Sequence, residues 1–205
     1  MTTPFPLGRP ARIAVLASGR GSNLEALLAA FGPDEPLGRV ALVISNRASA
    51  PALDKARAAG VEALHVAYGD GTTFEAEAGQ ALDAAGIDLV CLAGFMRILP
   101  PTFVRRYRGR LLNIHPSLLP AFRGLHAQRQ ALEAGVAESG CTVHFVDEGI
   151  DTGAVIEQRR VPVLPDDDEA SLAERIRREE HRAFPEAVRS VLSGHATVTP
   201  EEVRR

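Results

Sequence analysis

The stretch Leu111-Leu112-Asn113-Ile114-His115-Pro116 sets a carboxamide and an imidazole two residues apart in an apolar run. A strand turns successive side chains to opposite faces, so Leu112 and Ile114 share one face while Asn113 and His115 share the other. Pro116 holds His115 in extended backbone and ends the strand there. Hydrogen-bond donors arranged in this way suit an oxyanion, and an imidazole can also move a proton. An imidazole that is to be a cation at neutral pH needs a carboxylate beside it. Asp151, flanked by glycines in Asp147-Glu148-Gly149-Ile150-Asp151-Thr152-Gly153, is the best candidate, with a turn-forming role as its alternative. His144 shares a strand face with Thr142 and Val146 and reads as a supporting imidazole. No His and acid spacing has the form of a zinc set, so the expected chemistry is metal-free.

A second candidate is Ala17-Ser18-Gly19-Arg20-Gly21-Ser22-Asn23-Leu24, directly after the first apolar run. Glycines admit an anion to the backbone, and the free N–H groups of a helix start, with the Ser22 hydroxyl, can hold a phosphate. The alternative is a tight turn that binds nothing. A dinucleotide site would want glycine at Leu24 and an acid after the second strand, where Ser45-Asn46-Arg47 stands instead. No Lys follows the glycines, which excludes a P-loop. Third, Leu172, Ile176, Glu180, Phe184 and Val188 recur every four residues, placing Glu180 within an apolar helical row. A carboxylate there must be paired, with Arg177 three residues earlier as the nearest choice, or must meet a ligand such as sugar hydroxyls.

The elements that position these groups alternate. Arg12 to Ala17, Arg39 to Ser45, Val61 to Val66 and Ile87 to Ala93 read as buried strands, separated by helices over Asn23 to Phe31, Ala50 to Ala59 and Thr73 to Ala85. This predicts an α/β fold with a doubly wound, mostly parallel open sheet, which binds ligands at the carboxyl ends of its strands. Pro100-Pro101 interrupts the rhythm before a strand from Arg110 to Ile114 and a loop from His115 to Gly124. Strands over Thr142 to Val146 and Ala154 to Val161 are expected to form an antiparallel pair. A final helix, Ala170 to Leu192, is expected to be capped by Asp166 to Glu169 and kinked at Pro185.

The 205 residues, 45% hydrophobic and 24% charged, fit one globular domain. Its halves are expected to divide into 1–95, phosphate-binding, and 96–205, catalytic. A net charge of −3 gives no basic field for nucleic acid, no apolar run is long enough for a membrane span, and the start MTTPFPLGRP lacks a signal-peptide block. Two cysteines in apolar runs fit a reducing cytoplasm.

Taken together, ASGRGSN (Ala17 to Asn23), AGFMRIL (Ala93 to Leu99), LLNIHPSLLP (Leu111 to Pro120), Val143 to Gly153 and Glu179-Glu180-His181 resemble the phosphoribosylglycinamide formyltransferase family over nearly the whole chain. The resemblance implies a Rossmann-like formyltransferase fold. It also implies transfer of the formyl group of 10-formyltetrahydrofolate to glycinamide ribonucleotide in purine biosynthesis, by a monomer or homodimer. By this likeness Asn113, a protonated His115 and Asp151 are catalytic, and Gly21, Ser22 and Asn23 hold the phosphate. Glu180 takes the ribose hydroxyls. Met96, Arg97, Ile98 and Leu99 would wrap the folate pterin with Asp147, Glu148, Gly149 and Ile150, largely by main chain, alongside Asn113 and Asp151. Departures from the family pattern are the lack of an Arg near Gly71 or Thr72 and the presence of Arg177 beside the ribose carboxylate. A formyltetrahydrofolate hydrolase and other folate-dependent formyltransferases, such as a transfer RNA formyltransferase, share the trio and are the alternative activities.

Overall fold

The computed structural model describes residues 4–69 and 71–197. Seven strands form one sheet: β1 (Ala11–Leu16), β2 (Gly38–Ser45), β3 (Glu62–His65), β4 (Leu89–Leu92), β5 (Leu111–His115), β6 (Glu138–Phe145) and β7 (Val155–Pro162). Their spatial order is β3-β2-β1-β4-β5-β6-β7. β1 to β5 pair in parallel, and β6 is antiparallel to both β5 and β7. The expected doubly wound sheet with antiparallel C-terminal strands is therefore the observed one. The chain builds outward from β1 to β3 and then crosses to β4, so β1 and β4 flank the switch point where such sheets open a ligand crevice.

Period-2 alternation in the central strands splits the core into two layers. Ile13 and Val15 pack with α1 (Ser22–Ala30), α2 (Pro51–Ala58) and α6 (Glu169–Leu192), whereas Ala14 and Leu16 face α3 (Thr72–Ala84) and α4 (Pro101–Arg106). Because both faces are covered, the strands are apolar throughout, which is why they read as continuous hydrophobic runs. Leu112 and Ile114 belong to the first layer, so Asn113 and His115 point to the opposite face, as alternation requires.

Two helices depart from the expected pattern. Pro101 opens α4 at its first position, where a missing N–H and a fixed φ favour a helix, rather than merely breaking the rhythm. Ala127–Glu133 forms α5, a run of good helix formers after the long loop. β6 begins at Glu138, earlier than expected, because its polar start is held by pairing to β7 rather than by its own apolarity. α6 runs without interruption through Pro185, and Asp168 caps it in a reciprocal capping box with Ser171.

Candidate active site

The sheet delivers Asn113 and His115 to the carboxyl end of β5, facing His144 and Thr142 across the antiparallel β5–β6 pair. Asp151 arrives from the β6–β7 loop in left-handed backbone, φ 51°. Its neighbour Gly153 has no alternative, since a Cβ there would collide with the Phe145 carbonyl oxygen. A register shift between Val143 and His144 marks a bulge beside the site, a common way of re-aiming a side chain.

The three groups meet. His115 Nδ1 lies 3.3 Å from Asp151 Oδ2, and Asn113 Nδ2 lies 3.5 Å from Asp151 Oδ1. His144 Nε2 is 3.6 Å from that same Oδ1 and 3.1 Å from Asn113 Nδ2. The loop after β5 closes the arrangement. Gly124 N–H donates to Asp151 Oδ2 at 2.8 Å, and the Phe122 carbonyl lies 2.9 Å from His115 Nε2. A carbonyl only accepts, so His115 Nε2 carries a proton.

Burial pushes the His115 imidazole below its ordinary range, more strongly than the Phe122 carbonyl and the Asp151 carboxylate pull it up. Burial thus works against the expected imidazolium, and the Asp151 carboxylate 3.3 Å from Nδ1 works for it. For Asp151 the balance falls the other way. Burial raises its pKa, but hydrogen bonds from His144 and Gly124 and the nearby His115 together hold it below the usual carboxylate range. The site therefore holds a fixed anion between two imidazoles.

The glycine turn stands at the carboxyl end of β1. Gly21 caps α1 in left-handed backbone, φ 74°, and a Cβ there would approach the Ala52 Cβ to 2.9 Å, so glycine alone fits. No side chain caps this helix, which leaves its first N–H groups available to an anion. Ser18 ties the turn to its neighbours, with its Oγ 2.6 Å from Asn46 Oδ1 and accepting from Met96 N at 2.8 Å.

Glu180 reaches this turn and is buried there. Its expected partner is replaced: Arg177 pairs with Glu174, and Glu180 Oε2 instead accepts from Asn23 Nδ2 at 2.9 Å. Burial raises the Glu180 pKa, offset in part by Asn23 and the charge of Arg177. With its amide nitrogen committed to Glu180, Asn23 has its backbone N–H to offer an anion. Asn23 Oδ1 is buried without a hydrogen-bond partner.

The remaining segments line the rim. Met96 and Ile98 are exposed, whereas Leu99 is buried in the core, and the Arg97 guanidinium lies over the Tyr68 ring at 5.1 Å. Glu148 turns away to Arg108 and Arg105, at 2.9 and 3.0 Å, and Asp147 accepts from Gly149 N and Thr152 Oγ1 to shape its own loop. Ile150 is exposed. Sequence reasoning missed the Phe122 carbonyl and the Gly124 N–H, which are backbone groups without a residue signature.

A doubly wound sheet with an amide, an imidazole and a carboxylate at one edge, beside a backbone anion site, defines a class. Residues 11–188 match the formyl transferase family model, and the chain belongs to that family. Within it, the chain is 47% identical to phosphoribosylglycinamide formyltransferase of Escherichia coli K12, over 84% of this chain and 83% of that one. It is 54% identical to the trifunctional purine biosynthetic protein adenosine-3 of Drosophila melanogaster, over 94% of this chain but only 15% of that protein's length. Among solved structures, glycinamide ribonucleotide transformylase 1 of Symbiobacterium toebii superimposes with a TM-score of 0.89 at 51% identity, covering 94% of this chain and 92% of that chain.

Proposed function

We propose that this chain transfers the formyl group of 10-formyltetrahydrofolate to the amine of glycinamide ribonucleotide, a step of purine biosynthesis, in the cytoplasm. The convergence of Asn113, His115 and Asp151 at the edge that also carries the glycine turn is the observation that carries this reading. The first N–H groups of α1 take the phosphate, and Glu180 takes the ribose hydroxyls, so the amine is directed along the edge toward β5. Met96 to Leu99 and Asp147 to Ile150 embrace the pterin.

The neutral amine attacks the formyl carbon. The new C–N bond forms as the carbonyl π pair moves onto oxygen. Asn113 N–H and His115 Nε2–H are the donors for that oxyanion, with His115 Nε2–H turning to it from the Phe122 carbonyl. Asp151, ionised at neutral pH, receives the proton released by the attacking nitrogen, directly or through a water. That proton passes to the folate nitrogen, the C–N bond to folate breaks, and the formyl group remains on the ribonucleotide. His115 need not be charged at rest, because the nascent anion itself favours a proton on the ring.

Mixing the protein with 10-formyl folate and glycinamide ribonucleotide should produce deformylated folate, followed spectroscopically, only when the ribonucleotide is present. Folate loss without it would replace this reading with hydrolysis.

A further inference from the structure

Two main-chain groups of the loop after β5 bear on the site: the Phe122 carbonyl at His115 Nε2 and the Gly124 N–H at Asp151 Oδ2. Any residue offers those atoms, so no side chain at 122 or 124 decides where they sit. Phe122 is moreover in left-handed backbone, φ 55°, which costs a bulky residue energy and persists only where the surroundings hold it. The hold comes from a single hydroxyl beneath the stem of the loop. Thr142 is fully buried on β6, directly opposite His115 on β5, and Gln158 on β7 stands directly opposite Thr142. Paired residues share a sheet face, so the three form one row on the face that carries the site. Thr142 Oγ1 donates to the Ser117 carbonyl at 2.7 Å, and it accepts from Leu119 N at 3.0 Å and from Gln158 Nε2 at 2.9 Å. A hydroxyl has one proton and two lone pairs, and all three are used. Gln158 Nε2 also donates to the Leu119 carbonyl at 2.8 Å. That carbonyl can only accept, so the amide nitrogen faces the loop with both its protons engaged. Leu119 is therefore gripped by its N–H and its carbonyl at once. Ser117 Oγ donates to the Ala121 carbonyl at 2.6 Å and carries the grip to the residue before Phe122.

We propose that Thr142 is a positioning residue for formyl transfer, with Gln158 as its outer support. It anchors the loop that sets the Phe122 carbonyl against His115 and the Gly124 N–H against Asp151. This rests on the formyl-transfer reading for the roles of His115 and Asp151. Thr142 touches neither substrate in this scheme, because the protein already saturates its hydroxyl. Its influence reaches the chemistry through Asp151. That carboxylate faces Asn113 and His115 from β5, His144 from β6 and the Gly124 N–H from the loop. The acids of its own segment are engaged elsewhere, Asp147 with Gly149 and Thr152, and Glu148 with Arg105 and Arg108. An N–H donated to a carboxylate favours its ionised form, so Asp151 deprived of Gly124 needs a higher pH to serve as a base.

Two substitutions separate positioning from mere packing. Thr142→Val keeps the shape of the side chain and deletes the hydroxyl, whereas Thr142→Ser keeps the hydroxyl. The Val variant should lose turnover by roughly tenfold, short of the 10²–10³ typical of deleting an oxyanion donor outright, with KM for the ribonucleotide little changed. The acid limb of its kcat/KM profile should move up by roughly one pH unit, the size of one hydrogen bond to a charged group. The Ser variant should keep most turnover and the wild-type profile. Gln158→Leu, at an exposed position, should act in the same direction by a smaller factor. A purely structural role predicts a lower Tm with turnover per folded molecule and the pH profile unmoved. That result would overturn the proposal, as would a Ser variant no better than the Val variant. Hydrogen exchange at the Gly124 amide supplies a test independent of activity. It should be slow in the wild type and the Ser variant and fast in the Val variant, while the central strands stay protected in all three. Unchanged protection of Gly124 in the folded Val variant would refute the anchor even if formyl transfer is confirmed. Absence of formyl transfer in the wild type, with Gly124 exchange rising in the Val variant as expected, would instead fail the functional reading.

Discussion

The two ends of this site are built from different materials. At β1 the ligand face is backbone: a left-handed glycine, an uncapped helix start and a close-packed Ala52. At β5 and β6 it is side chain: an amide facing the His144 ring, two imidazoles each against a backbone carbonyl, and a carboxylate accepting from the Gly124 N–H. The parallel half supplies a fixed dipole that needs no titratable group to hold an anion. The antiparallel half brings His144 directly opposite Asn113, a juxtaposition in which four polar groups share one face. Backbone sites bind, and side-chain sites change protonation. Substitutions should accordingly sort into binding losses at one end and turnover losses at the other.

The largest effect is expected at the side-chain end. Asp151→Asn and His115→Ala should each lower kcat by about 10²–10³, the typical cost of deleting one preorganised group at an oxyanion site, while binding of both substrates persists. Single-turnover rates against equilibrium binding would separate the two. A KM effect without a kcat effect would break the division between the ends.

At the backbone end, Glu180 is the informative position, because it is a buried carboxylate beside a turn that offers only backbone groups to a ligand. Glu180→Gln should raise KM for the ribonucleotide by roughly tenfold, in line with loss of a charge-assisted hydrogen bond, and leave kcat near normal. The same change should stabilise the free protein. Burial raises the Glu180 pKa in the folded state, so an unfolded chain gives up this proton at lower pH than the folded one does. The contribution of Glu180 to stability is therefore complete below the ordinary carboxylate pKa and is lost as pH rises through the folded value. Thermal melts should show the Gln variant gaining on the wild type across that window and matching it in more acidic buffer. A gap that narrows as pH rises would mean that Asn23 and Arg177 outweigh burial.

How much of this was legible depended on whether a group's role follows from its own residue type. Asn113 and His115 were readable because strand alternation and Pro116 dictate where they point. Glu180 was readable as a misfit in an apolar row. Its partner was not, since Asn23 lies 157 residues away and only the packing of α1 on α6 joins them. The burial of His115 was also hidden, because it depends on the loop that folds over it. Phe122 and Gly124 contribute through the main chain, where any residue offers the same atoms. The parallel character of the sheet was legible for the reason that its central strands are buried on both faces, while α4 and α5 are too short for periodicity to declare them.

The smallest effect is expected at Glu148, and it sharpens the comparison by showing that proximity to the cleft is not participation. Its segment belongs to the proposed pterin wall, yet its carboxylate is drawn off to Arg105 and Arg108 on the far side of the loop. What remains toward the cleft is main chain, as at the glycine turn. Half-exposed ion pairs of this kind contribute about 0–1 kcal/mol to stability because water screens them. Glu148→Ala should therefore change KM for the folate by less than about twofold and leave kcat intact, with at most a slight fall in Tm. Restoring the loop's shape should need only the Asp147 contacts to Gly149 and Thr152, which the substitution leaves in place. A large rise in folate KM would show that the side chain swings back to the ligand, and the β6–β7 loop would then bind through side chains as the catalytic edge does.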